Sequence, residues 1–307
     1  MNAPRRPPRR SIDGVLLLDK PLGATSNAVL QSARRLYNAA KAGHTGTLDP
    51  LATGLLPMCF GEATKFAGEL LGADKTYAAA LRLGITTDTA DAEGRHLVTS
   101  PVRVSRQQVD AVMQRFVGEI MQVPPMHSAL KHHGKPLYEY ARQGIELERT
   151  PRRVVIHAIA VNDFGGENLS ITVDCSKGTY IRTLAEDIGA ALGCGAHLAA
   201  LRRTRIGNLR LEQAVTLADL EALSLGDRDS LLSPADALLL EIPRAELSQT
   251  DADRLLHGQA IRCTGPNGRR RAYAGSVFLG LCEMTDDGWL KPKRLIVTAI
   301  EKTAANA

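Results

Sequence analysis

The chain has 307 residues, 44% of them hydrophobic, and its 38 Lys and Arg against 33 Asp and Glu give a net charge of +5. This length favours one large domain or two modest ones, and the lack of a long apolar run argues against a membrane span or a signal peptide. Five scattered cysteines, with no close pair, argue against a zinc knuckle and a disulfide framework. We therefore expect a folded cytoplasmic protein with reduced thiols and no membrane partner.

The N-terminal region combines a basic segment with two predicted regular elements. The segment Arg5-Arg6-Pro7-Pro8-Arg9-Arg10 has too little apolar content to pack, so we expect residues 1–12 to form a disordered arm. This arm is either a solvated tail or a nucleic-acid contact. The apolar run from Gly14 to Pro21 predicts a buried strand, and the residues after it, through Tyr37, have the apolar spacing of a helix.

The next stretch is the most unusual in the chain. Residues Gly43 to Gly54 read Gly-His-Thr-Gly-Thr-Leu-Asp-Pro-Leu-Ala-Thr-Gly. Gly, Thr and Pro disfavour the interior of regular elements, so this pattern predicts a shaped loop of the kind that often carries a functional site. Its single carboxylate, Asp49, is our candidate reactive group. Taken alone, however, an Asp in a loop more often makes a turn or caps a helix.

The middle of the chain alternates predicted helices and strands. A helix is predicted from Glu62 to Leu71 with Gly72 as its stop, and a strand from Lys75 to Gly84. A polar loop follows over residues 86–94, and Ser105 begins a further predicted helix. The chain then becomes rich in helix breakers and basic residues, which predicts an exposed excursion over about residues 124–153.

The second half begins with strong strand signals. Alternating segments at Val154 to Val161 and Leu169 to Cys175 predict two half-buried antiparallel neighbours. A helix is predicted to open at Ser176 and to continue to Leu192. The basic segment His197 to Arg205 predicts another strand.

The C-terminal region differs from the rest in composition. Ala- and Leu-rich helical pieces over residues 217–243 are interrupted by Gly226 and Pro234, and we place a boundary after residue 243. Beyond it, one helical piece near Leu255 precedes three short basic strands, which fits a small accessory barrel over residues 244–307.

Several motifs in one order resemble the bacterial tRNA pseudouridine-55 synthases of the TruB type. The resemblance runs from about Gly14 to Ile296. It rests on the loop around Asp49 and on these further segments: Asp19-Lys20-Pro21-Leu22-Gly23-Ala24-Thr25-Ser26-Asn27, Lys75-Thr76-Tyr77, Pro124-Pro125-Met126, Gly134-Lys135-Pro136-Leu137-Tyr138, Gly178-Thr179-Tyr180-Ile181-Arg182-Thr183-Leu184, and Leu290-Lys291-Pro292-Lys293-Arg294-Leu295.

The resemblance implies an α+β fold in two parts. The catalytic domain, residues 13–243, would have a mixed, largely antiparallel sheet with an RNA-gripping insertion at about 124–153. Residues 244–307 would form a small β-barrel of PUA type that binds RNA. We expect a monomer whose partner is the T stem-loop of tRNA, with no guide RNA, because the lysine-rich tails of guide-dependent relatives are absent.

The implied reaction is the isomerisation of uridine 55 to pseudouridine, in which the base is detached at N1 and rejoined through C5. No atom is gained or lost, so the resemblance implies no cofactor and no metal, in agreement with the lack of nucleotide-binding and metal-ligand motifs. Asp49 matches the catalytic aspartate of the family. Arg182 matches its guanidinium partner, and a nearby guanidinium favours the charged form of a carboxylate. Whether Asp49 attacks C1′ or abstracts a 2′ proton stays open.

Other matched residues would bind the substrate. Tyr77 matches the family's stacking tyrosine, and Tyr180 matches a second active-site tyrosine with a role in proton removal from C5. Leu201 matches an apolar pocket wall. His44 matches the residue that fills the space left when the target nucleotide is flipped out of the RNA. Two neighbouring residues would support the Asp49 loop, namely Lys20 and Pro21.

Basic residues of the excursion would contact RNA phosphates, which would position the RNA without reading its sequence. The candidates are Lys131, His132, Lys135, Arg152 and Arg153. His127 stands where relatives often carry an aromatic residue, so its contact is open.

Two rival functions start from the same residues. A non-catalytic RNA-binding or RNA-folding protein would use the basic surface but not Asp49 and Arg182, and folding assistance is compatible with catalysis. A carboxylate-pair glycosidase would need a second positioned acid, for which Glu186 and Asp187 are available. The basic excursion and the C-terminal tail favour RNA.

Overall fold

Apolar runs form the centre of one large sheet in a computed structural model that describes residues 8–128 and 130–296. The strands are β1 Gly14–Lys20, β2 Ala42–His44, β3 Ala52–Phe60, β4 Lys75–Leu83, β5 Ile85–Thr87, β6 His96–Thr99, β7 Gly118–Gln122, β8 Lys131–His132, β9 Lys135–Pro136, β10 Arg152–Gly165, β11 Asn168–Cys175, β12 Ala196–Ile206, β13 Leu209–Arg210, β14 Val215–Thr216, β15 Arg244–Glu246, β16 Ile261–Arg262, β17 Gly268–Ala274, β18 Val277–Met284 and β19 Trp289–Leu295.

Short helices connect these strands. The α-helices are α1 Ser26–Leu36, α2 Arg106–Phe116, α3 Leu137–Ala141, α4 Ile181–Ala191, α5 Leu217–Ala222, α6 Leu225–Ser230 and α7 Gln249–Leu256. Five of them, α1, α2, α5, α6 and α7, begin with a Ser or Thr side-chain cap. Thr25 accepts a hydrogen bond from Ala28 N–H at α1, and Ser105 forms a capping box with Gln108 at α2. No helix in the described part of the chain combines the length and apolar character that crossing a bilayer requires.

The large sheet is mixed and largely antiparallel, as predicted. Its strand order is β14-β1-β3-β12-β4-β11-β10-β7, with β2 paired to β3 and β13 to β12. Two of its pairs, β1 with β14 and β3 with β12, are parallel. The predicted antiparallel pairing of β10 and β11 is confirmed. Because β3 and β12 lie side by side at the centre, the loop before β3 lies next to residues of β12.

The C-terminal strands form a second sheet in the order β15-β17-β18-β19-β16. Its core is continuous with that under β1 and β3, since the rings of Phe66 and Phe278 lie 5.5 Å apart. An ion pair of 2.7 Å joins Arg269 to Glu69 across the same contact. The second sheet therefore packs directly against the 3₁₀ segments that follow β3.

Three sequence expectations need correction. Two 3₁₀ segments, Gly61–Phe66 and Glu69–Gly72, replace the helix expected from Glu62 to Leu71. Gly68 lies between the two segments, and glycine lowers helix stability. The helix expected from Ser176 begins only at Ile181, because Gly178 adopts φ +82° in the preceding turn.

The N-terminal arm is shorter than expected. Residues 1–7 lie outside the described residues, but Arg10 is held within the fold. Its backbone N–H donates to Asn38 O (2.7 Å), its carbonyl accepts from Ala40 N–H (2.9 Å), and its guanidinium pairs with Asp229. The expectation of a free arm through residue 12 is therefore wrong at Arg10.

Gly54 provides a test of how closely β3 and β12 approach. It adopts φ +101°, and a Cβ atom there would lie 2.3 Å from Arg203 O. Gly54→Ala should therefore lower the free energy of unfolding by about 3 kcal/mol, since the backbone of one strand would have to move. Urea unfolding measures the change.

Gly68→Ala is the matched control. Gly68 has an ordinary φ of −64°, and nothing lies within 4 Å of a Cβ atom there. We expect this substitution to be neutral or stabilising by up to about 1 kcal/mol. Equal stability of the two variants would contradict the tight contact.

Candidate active site

The loop that carries Asp49 is held from two sides. The Ser26 hydroxyl, at the start of α1, donates to Leu48 O (2.9 Å) and accepts from Leu48 N–H (2.8 Å). Asp49 O accepts from Ala52 N–H at 3.0 Å, which closes a tight turn ahead of β3. The loop is therefore ordered by local hydrogen bonds before any substrate is present.

Lys20 anchors the same loop from beneath. Its side chain is fully buried at the end of β1, where Nζ donates to the carbonyls of Pro21 (2.9 Å), Ala24 (2.6 Å) and Pro50 (3.4 Å). Burial lowers the pKa of Lys20 to about 8, although the nearby charge of Asp49 acts in the opposite direction. Lys20 thus connects Pro21 to Pro50, the residue after Asp49, and the supporting role of Lys20 and Pro21 stays a prediction.

Asp49 and Arg182 meet, as the sequence motifs predicted. Arg182 Nη2 lies 2.9 Å from Asp49 Oδ2, with the Arg182 side chain 9% exposed and that of Asp49 47% exposed. Arg182 comes from the first turn of α4, whereas Asp49 comes from the loop before β3. A half-exposed carboxylate against a buried guanidinium leaves one side of the acid open to a substrate.

Arg182 is fixed by further acceptors that sequence reasoning missed. Nη1 lies 3.5 Å from Asp91 Oδ2, and Nη2 donates to His127 O at 2.7 Å. Asp91 is buried in the loop after β5, which we had interpreted only as a polar loop. The Thr-Asp repeat in that loop was the available signal. His127 therefore contributes a backbone carbonyl here, whatever its side chain contacts.

Glu93 is a third acid near Arg182, after Asp49 and Asp91. Burial raises the pKa of Glu93, and the charges of Asp91 and Asp49 raise it further. Glu93 N–H donates to Asp91 Oδ1 at 3.1 Å. The site thus places three acids around one guanidinium and the Lys20 ammonium, so its charges are strongly interdependent.

The two predicted tyrosines approach Asp49 from different strands and helices. Tyr77 is 8% exposed in β4, and Tyr180 is the half-buried residue that precedes α4. Burial raises the pKa of both phenols, and the charge of Asp49 adds to the effect at each. At neutral pH both are therefore protonated, so Tyr180 in the free protein donates hydrogen bonds rather than acting as a base.

Leu201, the predicted pocket wall, lies in the centre of the large sheet. In β12 it pairs with Ala52 of β3 on one side and Ala79 of β4 on the other. The Thr53 hydroxyl donates to its carbonyl at 3.3 Å. Leu201 thus lies between the strand that follows the Asp49 loop and the strand that carries Tyr77.

His44 ends β2 on the same loop as Asp49. Its half-buried ring accepts a hydrogen bond at Nδ1 from Gly46 N–H (3.4 Å). Burial lowers the pKa of His44, and the positive charge of Arg203 lowers it further. The imidazole is therefore neutral and carries its proton on Nε2, free to donate.

The basic excursion is partly ordered by a small hairpin. His133 and Gly134 both adopt positive φ, +48° and +80°, which is the geometry of a two-residue turn between β8 and β9. The Lys135 ammonium lies 4.9 Å from the centroid of the Tyr140 ring and 3.9 Å from Glu139. The excursion therefore presents a shaped surface rather than an extended chain.

The five predicted RNA contacts divide into two groups. Lys131, His132 and Arg152 line one cavity at the base of the excursion. Lys135 pairs with Glu139, and Arg153 with Glu119 of β7 (2.8 Å). Exposed ion pairs contribute little free energy, so phosphates can compete for these side chains.

No cluster suited to a metal is found among residues 8–128 and 130–296, where no three His, Cys, Asp or Glu side chains are grouped to hold an ion. The two acids that the sequence offered to the glycosidase alternative are not placed beside Asp49. Glu186 and Asp187 lie in α4, where burial raises the pKa of both, and neither is paired with Asp49 among the described contacts.

Models of known protein families match most of the chain. The model of the TruB family pseudouridylate synthase N-terminal domain matches residues 34–181. A tRNA pseudouridylate synthase B C-terminal domain model matches 182–240, and a pseudouridine synthase II TruB C-terminal model matches 243–296. The fold is thus that of a pseudouridine synthase, an isomerase, and the Asp49–Arg182 pair lies across the two segments that the first two models match.

Two curated relatives extend over nearly the full length. The chain is 58% identical to the tRNA pseudouridine synthase B of Dechloromonas aromatica (strain RCB), over 94% of this chain and 97% of the relative. It is 59% identical to that of Azoarcus sp. (strain BH72), over 96% and 98%. The chain belongs to the TruB family of pseudouridylate synthases.

Solved structures show the same fold at lower identity. A chain of the H/ACA RNP bound to a substrate RNA containing 2'-deoxyuridine is similar with a TM-score of 0.70 and 25% identity, covering 92% of this chain and 84% of that one. A chain of a Cbf5-Nop10-Gar1 complex is similar with a TM-score of 0.69 and 29% identity, covering 89% and 78%.

The pKa of Lys20 predicts a specific pH dependence of stability. In the folded protein Lys20 loses its proton near pH 8, whereas in the unfolded chain it stays protonated to about pH 10.5. Between these values the unfolded state binds more protons, so stability rises with pH. Relative to Lys20→Met, the wild type should gain about 1 kcal/mol from pH 8 to pH 9 in urea unfolding.

Lys41→Met is the matched control, because Lys41 is exposed. Its curve should run parallel to the wild type over the same pH range. Parallel curves for Lys20→Met and the wild type would contradict the lowered pKa of Lys20.

Proposed function

We propose that this enzyme converts uridine 55 in the T loop of tRNA to pseudouridine. The single observation that carries the proposal is the Asp49–Arg182 pair, in which a half-exposed carboxylate is held at 2.9 Å by a buried guanidinium. The similarity to two tRNA pseudouridine synthases B supports tRNA as the substrate. We expect the enzyme to act as a cytoplasmic monomer, without a guide RNA.

The reaction needs a carboxylate beside the sugar and a pocket for the base. The N1–C1′ bond breaks, the uracil turns, C5 bonds to C1′, the C5 proton leaves and N1 takes up a proton. Asp49 would act at the sugar, by attack at C1′ or by removal of a 2′ proton. Arg182 keeps Asp49 ionised and oriented, since an adjacent cation favours the charged carboxylate. Because the balance of atoms is internal, no cofactor is required.

Tyr77, Tyr180 and Leu201 would hold the uracil. The ring of Tyr77 would stack on the base, and Leu201 would close the apolar side of the pocket. The protonated phenol of Tyr180 would first donate a hydrogen bond to the detached uracil. It would take the C5 proton only after passing its own proton to N1, so that one proton leaves C5 and one arrives at N1. This order follows from the raised pKa of the phenol.

A uridine within a folded loop must leave its stack to reach Asp49, at a cost of roughly a few kcal/mol. We propose that His44 enters the space that the base leaves. Its neutral ring can stack and can donate a hydrogen bond from Nε2. By opening and holding the RNA in this way, the enzyme would also assist tRNA folding.

Surfaces beyond the pocket would grip the RNA. We assign residues 13–243 to the catalytic domain, with its insertion at about 124–153, and residues 244–307 to an RNA-binding domain of PUA type. Supporting observations are the cavity lined by Lys131, His132 and Arg152, and the five-stranded C-terminal sheet with Arg262 stacked 4.3 Å from the Trp289 ring.

Asp49→Asn tests the proposed chemistry. The amide cannot act as nucleophile or base, so pseudouridine formation at position 55 should fall by roughly 10³-fold or more, while RNA affinity changes little. The measurement is single-turnover incubation with a tRNA transcript, followed by mapping of the modified position.

Asp163→Asn is the matched control, because Asp163 is exposed in β10. It should retain the wild-type rate. A transcript with cytidine at position 55 should yield no product. Equal rates for Asp49→Asn and the wild type would disprove the role of Asp49.

Lys131→Ala tests the RNA grip. Loss of one phosphate contact should weaken binding uniformly across RNA sequences and lower the slope of log affinity against log salt by about 1. The rate of pseudouridine formation at saturating enzyme should stay unchanged, because Lys131 lies outside the Asp49 pocket. An unchanged salt slope would remove Lys131 from the interface, and filter binding at several salt concentrations provides the measurement.

A further inference from the structure

Arg203 is the largest fully buried side chain in the described part of the molecule, at 2% exposure. It lies in β12, between Gly54 of β3 and Tyr77 of β4. No Asp or Glu oxygen within the described residues lies within 4 Å of its guanidinium. Burying a cation without a carboxylate partner costs desolvation free energy. The presence of Arg203 at this position therefore calls for a reason other than stability.

The guanidinium instead contacts three parts of the candidate site. Nε donates to Leu55 O of β3 (2.9 Å), and Nη2 donates to Gly46 O, between His44 and Asp49 (3.2 Å). Tyr77 is the direct cross-strand partner of Arg203 between β4 and β12, so the two side chains are neighbours on one face of the sheet, and the guanidinium charge acts on the phenol. One planar group with donors in fixed directions thus connects the catalytic loop, the strand after it and the stacking tyrosine.

The charge of Arg203 acts on the same surroundings. It lowers the pKa of His44, after burial, and it also opposes protonation of Lys20 and Lys75. Arg203 is the charged group that acts on the His44 ring. The guanidinium therefore both holds the loop that carries His44 and helps to keep that ring neutral.

We propose that Arg203 is a positioning residue, which fixes the Tyr77 phenol relative to the loop that carries His44 and Asp49. It touches neither substrate nor reacting atoms, and it acts through Tyr77 and Gly46. This inference rests on the proposed roles of those residues in uridine isomerisation. The Arg203 guanidinium would hold the Tyr77 ring at a fixed position relative to the loop that carries His44 and Asp49.

Arg203→Lys is the first test. The ammonium keeps the charge but lacks the fork that spans Leu55 O, Gly46 O and Tyr77. We expect the single-turnover rate on a tRNA transcript to fall roughly 10- to 100-fold, with RNA affinity within about threefold of the wild type. Arg205→Lys, a half-buried arginine of the same strand paired with Asp174 (2.6 Å), should lose less than about threefold in rate.

A double-mutant cycle separates positioning from a general loss of structure. Tyr77→Phe keeps the ring and removes the hydroxyl, so Arg203→Lys should cost less than about threefold in that background. The same fold loss in both backgrounds would overturn the proposal. If Arg203→Lys does not fold, as judged by thermal unfolding, Tyr77→Phe alone decides: a wild-type rate overturns the proposal, and a fall of about tenfold supports it.

A titration without RNA tests the loop contact independently of activity. Arg203→Gln removes the charge, so the pKa of His44, followed by NMR, should rise, whereas Arg203→Lys should leave it near the wild-type value. An unchanged His44 pKa in the Gln variant would overturn the contact with the loop. If the wild type formed no pseudouridine, the proposed function would fail, and this titration would still test the placement of Arg203.

Discussion

The ion pair between Arg182 and Asp49 is the constraint on which the site depends. A guanidinium that is 9% exposed must find acceptors, because an unpaired buried cation is strongly disfavoured. Arg182 finds them in Asp49, in Asp91 and in the carbonyl of His127, which come from three separate loops. Satisfying one side chain therefore orders the loops around the reactive carboxylate, and the α4 helix that carries Arg182 becomes part of the active site.

Arg203 meets the same requirement in another way. Its donors go to the backbone carbonyls of Leu55 and Gly46, its cross-strand partner is Tyr77, and within residues 8–128 and 130–296 it forms no ion pair with a carboxylate. The absent side chain of Gly54 permits the close approach of β3 and β12 that brings these groups together. Arg182 thus brings carboxylates together around Asp49, whereas Arg203 connects the backbone of the Asp49 loop to that of β3.

Sequence reasoning predicted the elements with strong local signals. The apolar run of β1, the alternation in β10 and β11, and the capped start of α2 all match the structure. It failed where burial was not periodic. All four residues of β6 are exposed. The edge strand β7 alternates in burial, but two of its three more buried positions are Gly118 and Gln122, so its hydrophobic pattern does not show the alternation. The segment from Glu62 became two 3₁₀ segments, with Gly68, a residue of low helix propensity, between them.

The sequence by itself determined the family, the mixed α and β character and the choice of Asp49, Arg182 and the two tyrosines, because motifs record residue identity and order. Tertiary structure alone decided which groups share a charge. Asp91, Glu93 and Arg203 joined the site only when strands and loops distant in the chain came together. Burial raises the pKa of Tyr180 and lowers the pKa of His44 and Lys20, and desolvation depends on neighbours that local patterns do not record.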